Sequence, residues 1–205
     1  LKPLLQTLDI PWYTTDNVSI YAHLNSITNN LETEIYVPNL SNGKINIDSI
    51  DFNLNNKNNS LNLTLSAATD LKKSHLNAAI NINAANDTIL TNLNWDNNNI
   101  NKLFAGEFIA QTELSSNENF DTLITNTTIL PTELILQNKS WIIDQSSIWS
   151  DFNKIIVENF KIHSNDDQLI AVNGIASKNQ NDIIDIQLKD ISLNYIDELL
   201  PEETE

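Results

Sequence analysis

Aliphatic and small polar residues alternate along this chain, and the alternation restarts at short intervals from Val18 to Leu188. Val18, Ile20, Ala22 and Leu24 form one run, and Leu31, Thr33, Ile35 and Val37 the next. Leu61, Leu63, Leu65 and Ala67 are followed by Leu76, Ala78, Ile80, Ile82 and Ala84. A period of two places such residues on one face of a pleated strand and the intervening Asn, Ser and Thr on the other. The pattern predicts strands near 17–25, 31–39, 44–55, 60–68, 74–85, 88–95 and 101–114, then near 122–130, 132–138, 141–144, 147–149, 153–163, 168–177 and 182–189. Lys2 to Leu8 reads as a short helix with Pro3 in its first turn, and Ile191 to Leu200 as another, stopped by Pro201.

The connections between these strands are short, so neighbours must pair and the order is a meander with few crossovers. Ser41-Asn42-Gly43-Lys44 is the clearest hairpin signal, because Asn-Gly supplies the two positive φ angles of a type I′ turn. Asn58-Asn59, Asn86-Asp87, Asp96 to Asn99, Asn138-Lys139, Asn165 to Asp167 and Asn179 to Asp182 are weaker punctuation of the same kind. About thirteen or fourteen strands spaced 4.8 Å apart would make a sheet roughly 60–70 Å wide. Sheets that wide curl or split into two layers. Residues 1–205 are read as one elongated β domain, with Ser115 to Asn119 the one stretch where a division would fall.

Composition narrows what such a sheet does. Of the 205 residues 40% are hydrophobic, which suits strands buried on one side. The net charge of −16, from 27 acidic and 11 basic residues, repels phosphate backbones, so nucleic acid is excluded as a partner. There is no Cys, hence neither a disulfide framework nor a thiolate metal site. No apolar run approaches the roughly 20 residues of a membrane-spanning helix. About one residue in six is Asn. Those within alternating runs, Asn46, Asn53, Asn62, Asn81, Asn83 and Asn94, are expected to face water. Matches to Asn-x-Ser/Thr, such as Asn17, Asn62 and Asn86, arise by chance at this Asn content.

Little in the chain points to chemistry. His23, His75 and His163 fall in different strands with no second ligand at metal spacing, so neither a metal nor a cofactor site is expected. Gly43, Gly106 and Gly174 are too far apart for a phosphate loop. Glu107, Glu113, Glu133 and Asp144 read as outward residues of their alternation rather than as catalytic carboxylates. The expectation is therefore no catalytic residue and no enzyme. Trp12, Trp95, Trp141 and Trp149 read as packing residues, Trp95 and Trp141 at strand ends where large side chains plug a sheet edge or corner.

The last third carries a resemblance. Trp141-Ile-Ile-Asp-Gln-Ser-Ser-Ile148 is followed by Val157-Glu-Asn-Phe160-Lys-Ile-His163. Gln168-Leu-Ile-Ala-Val-Asn-Gly174-Ile-Ala-Ser177 comes next, and then Asp182-Ile-Ile-Asp-Ile-Gln-Leu188-Lys-Asp-Ile191-Ser-Leu-Asn-Tyr195-Ile. This resembles the TamB-like proteins: a Trp-x-Ile strand, an Asn-Phe strand, a Leu-x-Val-x-Gly-x-Ala-Ser strand and a closing Ile-x-Leu-x-Tyr. Gln145 stands where family members often have Pro. Asp9-Ile-Pro-Trp12 and Leu93-Asn-Trp95 are similar more loosely.

The resemblance implies an internal segment of a large inner-membrane-anchored protein that crosses the periplasm as an antiparallel sheet folded into a U-shaped trough. It also implies a role in outer-membrane biogenesis, as a phospholipid conduit or as a helper in inserting outer-membrane proteins. The partners would be phospholipid acyl chains and an outer-membrane assembly-factor barrel protein.

The residues' own pattern is compatible with a trough, because the alternating positions are mostly Ile, Leu, Val and Ala. At about 0.8 kcal/mol per CH₂, a sixteen-carbon chain needs roughly 12 kcal/mol of apolar contact, which a dozen aliphatic side chains can provide. The residues expected to line such a groove are Leu61, Leu63, Leu65, Leu76, Ile80, Ile82, Leu134, Leu136, Val157, Ile162, Val172, Ile186 and Leu188. Two other readings stay open at this point. One is a scaffold offering strand edges to an unfolded outer-membrane protein. The other is a closed β-sandwich in which the Trp residues bind carbohydrate.

Overall fold

The computed structural model describes residues 12–43, 45–71, 74–97, 104–116, 122–165 and 167–191. These residues form one antiparallel sheet of fourteen strands. The first seven are β1 (Ser19–Asn25), β2 (Asn30–Ser41), β3 (Asn46–Asn55), β4 (Leu61–Leu71), β5 (Ser74–Ala85), β6 (Thr88–Asp96) and β7 (Phe104–Ser116). The rest are β8 (Leu123–Ile129), β9 (Thr132–Leu136), β10 (Lys139–Ile143), β11 (Ser146–Ser150), β12 (Lys154–Ser164), β13 (Leu169–Ser177) and β14 (Ile184–Lys189). Each strand read from the alternation is present, with ends shifted by a few residues. The only helical turn among the described residues is the 3₁₀ turn Lys57–Asn59. The helix expected at 2–8 and all of that expected at 191–200 except Ile191 lie outside the described residues, and Ile191 is not helical. The stretch 117–121 is also outside them, and the strands on either side, β7 and β8, pair with each other.

From β1 to β7 each strand pairs with the next. Beyond β7 the pairing looks irregular, since β7 and β12 each hold two short strands on one edge. The registers explain it. Ile129 lies opposite Ser146, and Leu136 opposite Lys139, in one unbroken hairpin register. Trp141 opposite Ser164 and Ser147 opposite Glu158 likewise belong to a single ladder. So β8 and β9 are halves of one long run, and β10 and β11 halves of the next. The sheet is a plain up-and-down meander of twelve runs.

What divides the halves is a line of β-bulges. Ala110 to Gly106 on β7 faces Ile129 to Leu134, which holds one residue more, at Leu130-Pro131. Asp144-Gln145 lies directly across. On β12 the register to β13 slips between Val157 and Phe160, where Asn159 takes a positive φ of 58°. Pro131 has no N–H to give to a ladder, which favours the break at that point. Because three neighbouring runs bulge at one level, they stay in step with each other. Bulges bend strands and increase twist, so the line favours bending across this part of the sheet.

The turns hold one correction. Asn42 does not take a positive φ, although Gly43 does, at 86°. Asn42 instead closes the hairpin: its N–H donates to the Ile45 carbonyl at 3.2 Å, and its Oδ1 accepts from the Ile45 N–H at 2.8 Å. The side-chain bond outcompetes the I′ geometry at this Asn. Paired positive φ angles occur instead at Asn86-Asp87 (49° and 59°) and Gln137-Asn138 (50° and 62°). Each pair sits between directly opposed strand ends, as a type I′ turn requires.

The core lies where β6 to β12 meet. Ile129, Leu134, Trp141 and Ile143 are buried together, with Trp95, Phe108, Leu136, Ile148, Phe160, Ile162 and Ile191 packed against them. Trp141, expected at a sheet edge or corner, is at the centre and only 2% exposed. Gly106 makes room for this packing. A Cβ there would sit 2.6 Å from Trp95 Cζ2 and 2.6 Å from Leu134 Cβ, so the indole lies across the glycine. Gly106→Ala should therefore destabilise the fold by about 1–3 kcal/mol, as overpacking does, and Trp141→Ala by about 3–5 kcal/mol through the cavity it leaves. Urea midpoints at unchanged slope measure both; a midpoint unchanged for Gly106→Ala would contradict the packing described.

Candidate functional site

Residues directly opposite one another in a ladder point to the same side of the sheet, so pairing traces a face across the molecule. Ile20 lies opposite Ile35, Ile35 opposite Phe52, Phe52 opposite Leu65, and Leu65 opposite Ile80. Ile80 then lies opposite Leu93 and Leu93 opposite Phe108. Two residues further along, Trp95, Gly106, Leu134 and Trp141 continue the same face. Ile143, Ile162, Ile170 and Leu188 carry it to the far edge.

All of the groove candidates fall on this one face. Leu61 and Leu63 neighbour Ala84 and Ile82; Leu76 lies opposite Thr69. Leu136 faces Phe104, Val157 faces Ile148, and Val172 faces both Phe160 and Ile186. The bulges leave this assignment intact, because each adds its residue between apolar positions and so returns the next one to the same side.

Burial separates the candidates. Leu134 and Val157 are buried within the core. Leu63, Ile80, Ile82, Leu136, Ile162 and Val172 are half-buried. Leu61 is 44% exposed, Leu65 is exposed as well, and Ile186 and Leu188, at 65% and 66%, project into solvent. The face is thus closed over in the middle of the sheet and open towards both edges. The alternation did not reveal its aromatic members, Phe52, Phe108, Phe160, Trp95 and Trp141, because several sit beside bulges or in runs counted by their aliphatic residues. The face is less smoothly aliphatic than expected.

The opposite face is polar and knit by amides. Asn55 Nδ2 donates to Asn53 Oδ1 at 3.2 Å, Asn62 Nδ2 to Asn55 Oδ1 at 3.2 Å, and Asn83 Nδ2 to Asn62 Oδ1 at 2.6 Å. An amide carries both donors and acceptors, so Asn can bond to Asn across successive strands without any charge. Of the Asn residues expected to face water, Asn46, Asn81 and Asn83 are exposed, while Asn53, Asn62 and Asn94 are partly covered by their neighbours.

The candidate carboxylates lie on this polar side. Glu107 accepts from Asn92 Nδ2, and Glu133 from Ser140 Oγ. Both border a shallow cavity of about 560 Å³ that Asn94, Asp96 and Ile135 also line. Glu113 borders another, of about 530 Å³, with Trp149 and Glu158. Asp144 meets Lys161 Nζ at 3.5 Å and His163 Nε2 at 3.3 Å. His75 Nδ1 lies 2.8 Å from Asp70 Oδ1. Among the described residues no His, Cys, Asp and Glu grouping could hold a metal, and no helix is long and apolar enough to cross a membrane.

No family model, no curated protein and no solved structure matches the chain.

One ion pair perturbs a titration. Lys57 Nζ donates to Glu32 Oε1 at 2.8 Å. That hydrogen bond, reinforced by the ammonium charge, holds the Glu32 carboxyl below its ordinary range and pushes Lys57 above its own. A depressed carboxylate stabilises the fold above its unfolded value, and the contribution disappears as pH falls through the folded one. Lys57→Gln should return the Glu32 midpoint upward in a carboxyl-carbon NMR titration and leave the urea midpoint unchanged, as solvent-exposed pairs do. A Glu32 midpoint that does not move would contradict the assignment.

Proposed function

We propose that this chain is a lipid-guiding segment of a TamB-like envelope protein, its sheet curled into a U-shaped trough whose apolar face receives phospholipid acyl chains. The observation that carries the reading is the face itself, continuous from Ile20 to Leu188 yet left exposed at Ile20 and Leu24 of β1, Leu61 and Leu65 of β4, and Ile184, Ile186 and Leu188 of β14. An exposed aliphatic surface of this extent costs free energy in water, at roughly 25 cal/mol per Å², and marks a surface with an apolar partner. The bulge line and the twist of a wide sheet favour curling, which would bring the open strips towards each other around a hydrocarbon chain. The sequence likeness of residues 141–196 to TamB-like proteins supports the same reading and supplies its setting. That setting is the periplasmic portion of an inner-membrane-anchored protein, working with an outer-membrane assembly-factor barrel.

Within the trough the candidates take two roles. Leu134 belongs to a packed platform with Trp141 and Ile143, and Val157 is buried opposite Ile148. The exposed Leu61 and Leu65, with the half-buried Leu63, Leu76, Ile80 and Ile82 beside them, offer the accessible wall. Headgroups stay in solvent, so no charged motif is required. The mechanism is passive: acyl chains exchange one set of methyl contacts for the next, with no single contact strong enough to hold them.

The test is lipid retention. After incubation with phospholipid vesicles, native mass spectrometry of the isolated chain should show bound phospholipid. Leu65→Asp and Ile82→Asp should each reduce it by about tenfold or more, the cost of setting a carboxylate against a hydrocarbon tail. Thr64→Asp, on the opposite face, should leave it unchanged. Equal retention by Ile82→Asp and the parent chain, with circular dichroism showing both folded, would overturn the proposal.

A further inference from the structure

The two outermost strands, of seven and six residues, are exposed and unpaired on their outer edges among the described residues. Ile20 and Leu24 of β1 are 62% and 75% exposed, and every residue of β14 is exposed. Natural sheets usually blunt such edges with Pro, with inward-pointing charges or with a covering element. Neither β1 (Ser-Ile-Tyr-Ala-His-Leu-Asn) nor β14 (Ile-Asp-Ile-Gln-Leu-Lys) contains Pro, and neither carries a charge on its apolar side.

We propose that β14 of one copy pairs with β1 of a second copy, head to tail, extending the same sheet from molecule to molecule. The pairing uses backbone edges, concerns the 205-residue chain on its own, and does not depend on the lipid reading of the apolar face. Four features of the two edges fit each other. The first is direction. Twelve alternating runs leave β1 and β14 antiparallel, so a copy displaced along the sheet presents β1 to β14 in the sense of every other pair.

The second is the free backbone groups. Asn56 N–H donates to the Leu31 carbonyl at 3.2 Å, which turns Leu31 and its alternate neighbours on β2 towards β3. The residues between them, Asn30, Glu32, Glu34 and Tyr36, are therefore the ones bonded to β1, and they lie opposite Asn25, His23, Tyr21 and Ser19. Neighbouring strand residues point their N–H and C=O to opposite sides. Hence Ile20, Ala22 and Leu24 aim theirs outward. At the far edge the Ile175 N–H donates to the Ile183 carbonyl at 2.8 Å, so Asp185, Gln187 and Lys189 bond to β13. Ile184, Ile186 and Leu188 aim outward.

The third is the side chains. Setting Ile20 against Leu188, Ala22 against Ile186 and Leu24 against Ile184 matches outward groups with outward groups. The same register keeps aliphatic residues of both copies on one face. The fourth is charge: this register brings the His23 imidazole opposite the Asp185 carboxylate on the polar face, and Ser19 opposite Lys189. A shift by one residue would lose both the backbone match and the face match.

A contact between two unlike edges is heterologous, so each copy that joins presents a fresh edge to the next and the assembly is open-ended. In sedimentation equilibrium of the full chain, from about 1 µM to about 1 mM, the average mass should rise past a dimer without a plateau. Ile186→Pro and Ala22→Pro each remove only an outward N–H, a position where edge strands tolerate Pro. Each variant alone should stay monomeric and folded, and an equimolar mixture of the two should form a one-to-one dimer through the single intact edge of each. Should a Pro variant fail to fold, Ile186→Asp and Ala22→Asp test the same pairing and should weaken association by about tenfold or more. A chain monomeric throughout, association unaffected by either substitution, or a Pro variant that dimerises by itself would each overturn the proposal.

Discussion

Every strand here depends on register. Side chains alternate across a pleated sheet, so a slip of one residue at any pairing would carry an entire run of Leu and Ile to the wet side. In a sheet of many runs such slips would compound, and the apolar face would break into patches. The structure keeps the face continuous in two ways. Type I′ turns at Asn86-Asp87 and Gln137-Asn138 leave no slack between β5 and β6 or between β9 and β10. One extra residue enters β3 between Asp48 and Asp51; those at Leu130-Pro131, Asp144-Gln145 and beside Asn159 are taken by three neighbouring runs at one level, and the phase is restored beyond that line.

The polar face answers the same constraint by different chemistry. Strand-forming residues such as Thr and Val hold a sheet by shape, whereas Asn is a poor strand former. Here Asn55, Asn62 and Asn83 bond to one another from strand to strand, and Asn55 also bonds to Asn53 within β3. Each amide contributes little, yet a mispaired strand would set amides against aliphatic side chains. The Asn content thus reads as register specification on the side that hydrophobic contacts cannot police. A face built from neutral amides also avoids the like-charge repulsion that a net charge of −16 would bring if more of it were placed in the ladder.

The strands were legible in the sequence, because alternation is a local property and most runs are long enough to show it. The common face of Leu61, Ile80, Val172 and Leu188 was legible for the same reason. Other features were hidden. Asn42-Gly43 looks like a I′ turn, but the choice between that and an Asx-type closure depends on where the Asn42 side chain finds a donor. Trp141 looks like the end of a short strand until β10 and β11 prove to be one run, which places it mid-sheet. The gradient from buried Leu134 to open Leu65 depends on which large side chains, Trp95 and Trp141 above all, meet across strands distant in sequence. The missing Cβ of Gly106 could have hinted at it, since a glycine inside a strand often marks close approach by an aromatic ring.

The account rests on hydrocarbon meeting one side of this sheet and not the other. Methyl relaxation by a phospholipid spin-labelled deep in its acyl chain measures that contact directly. The account predicts strong, saturable broadening of Leu63, Leu65, Ile80 and Ile82 methyls, with Thr64 and the Leu90 methyls on the polar face spared. Broadening spread equally over both faces, or none at any label concentration, would contradict it.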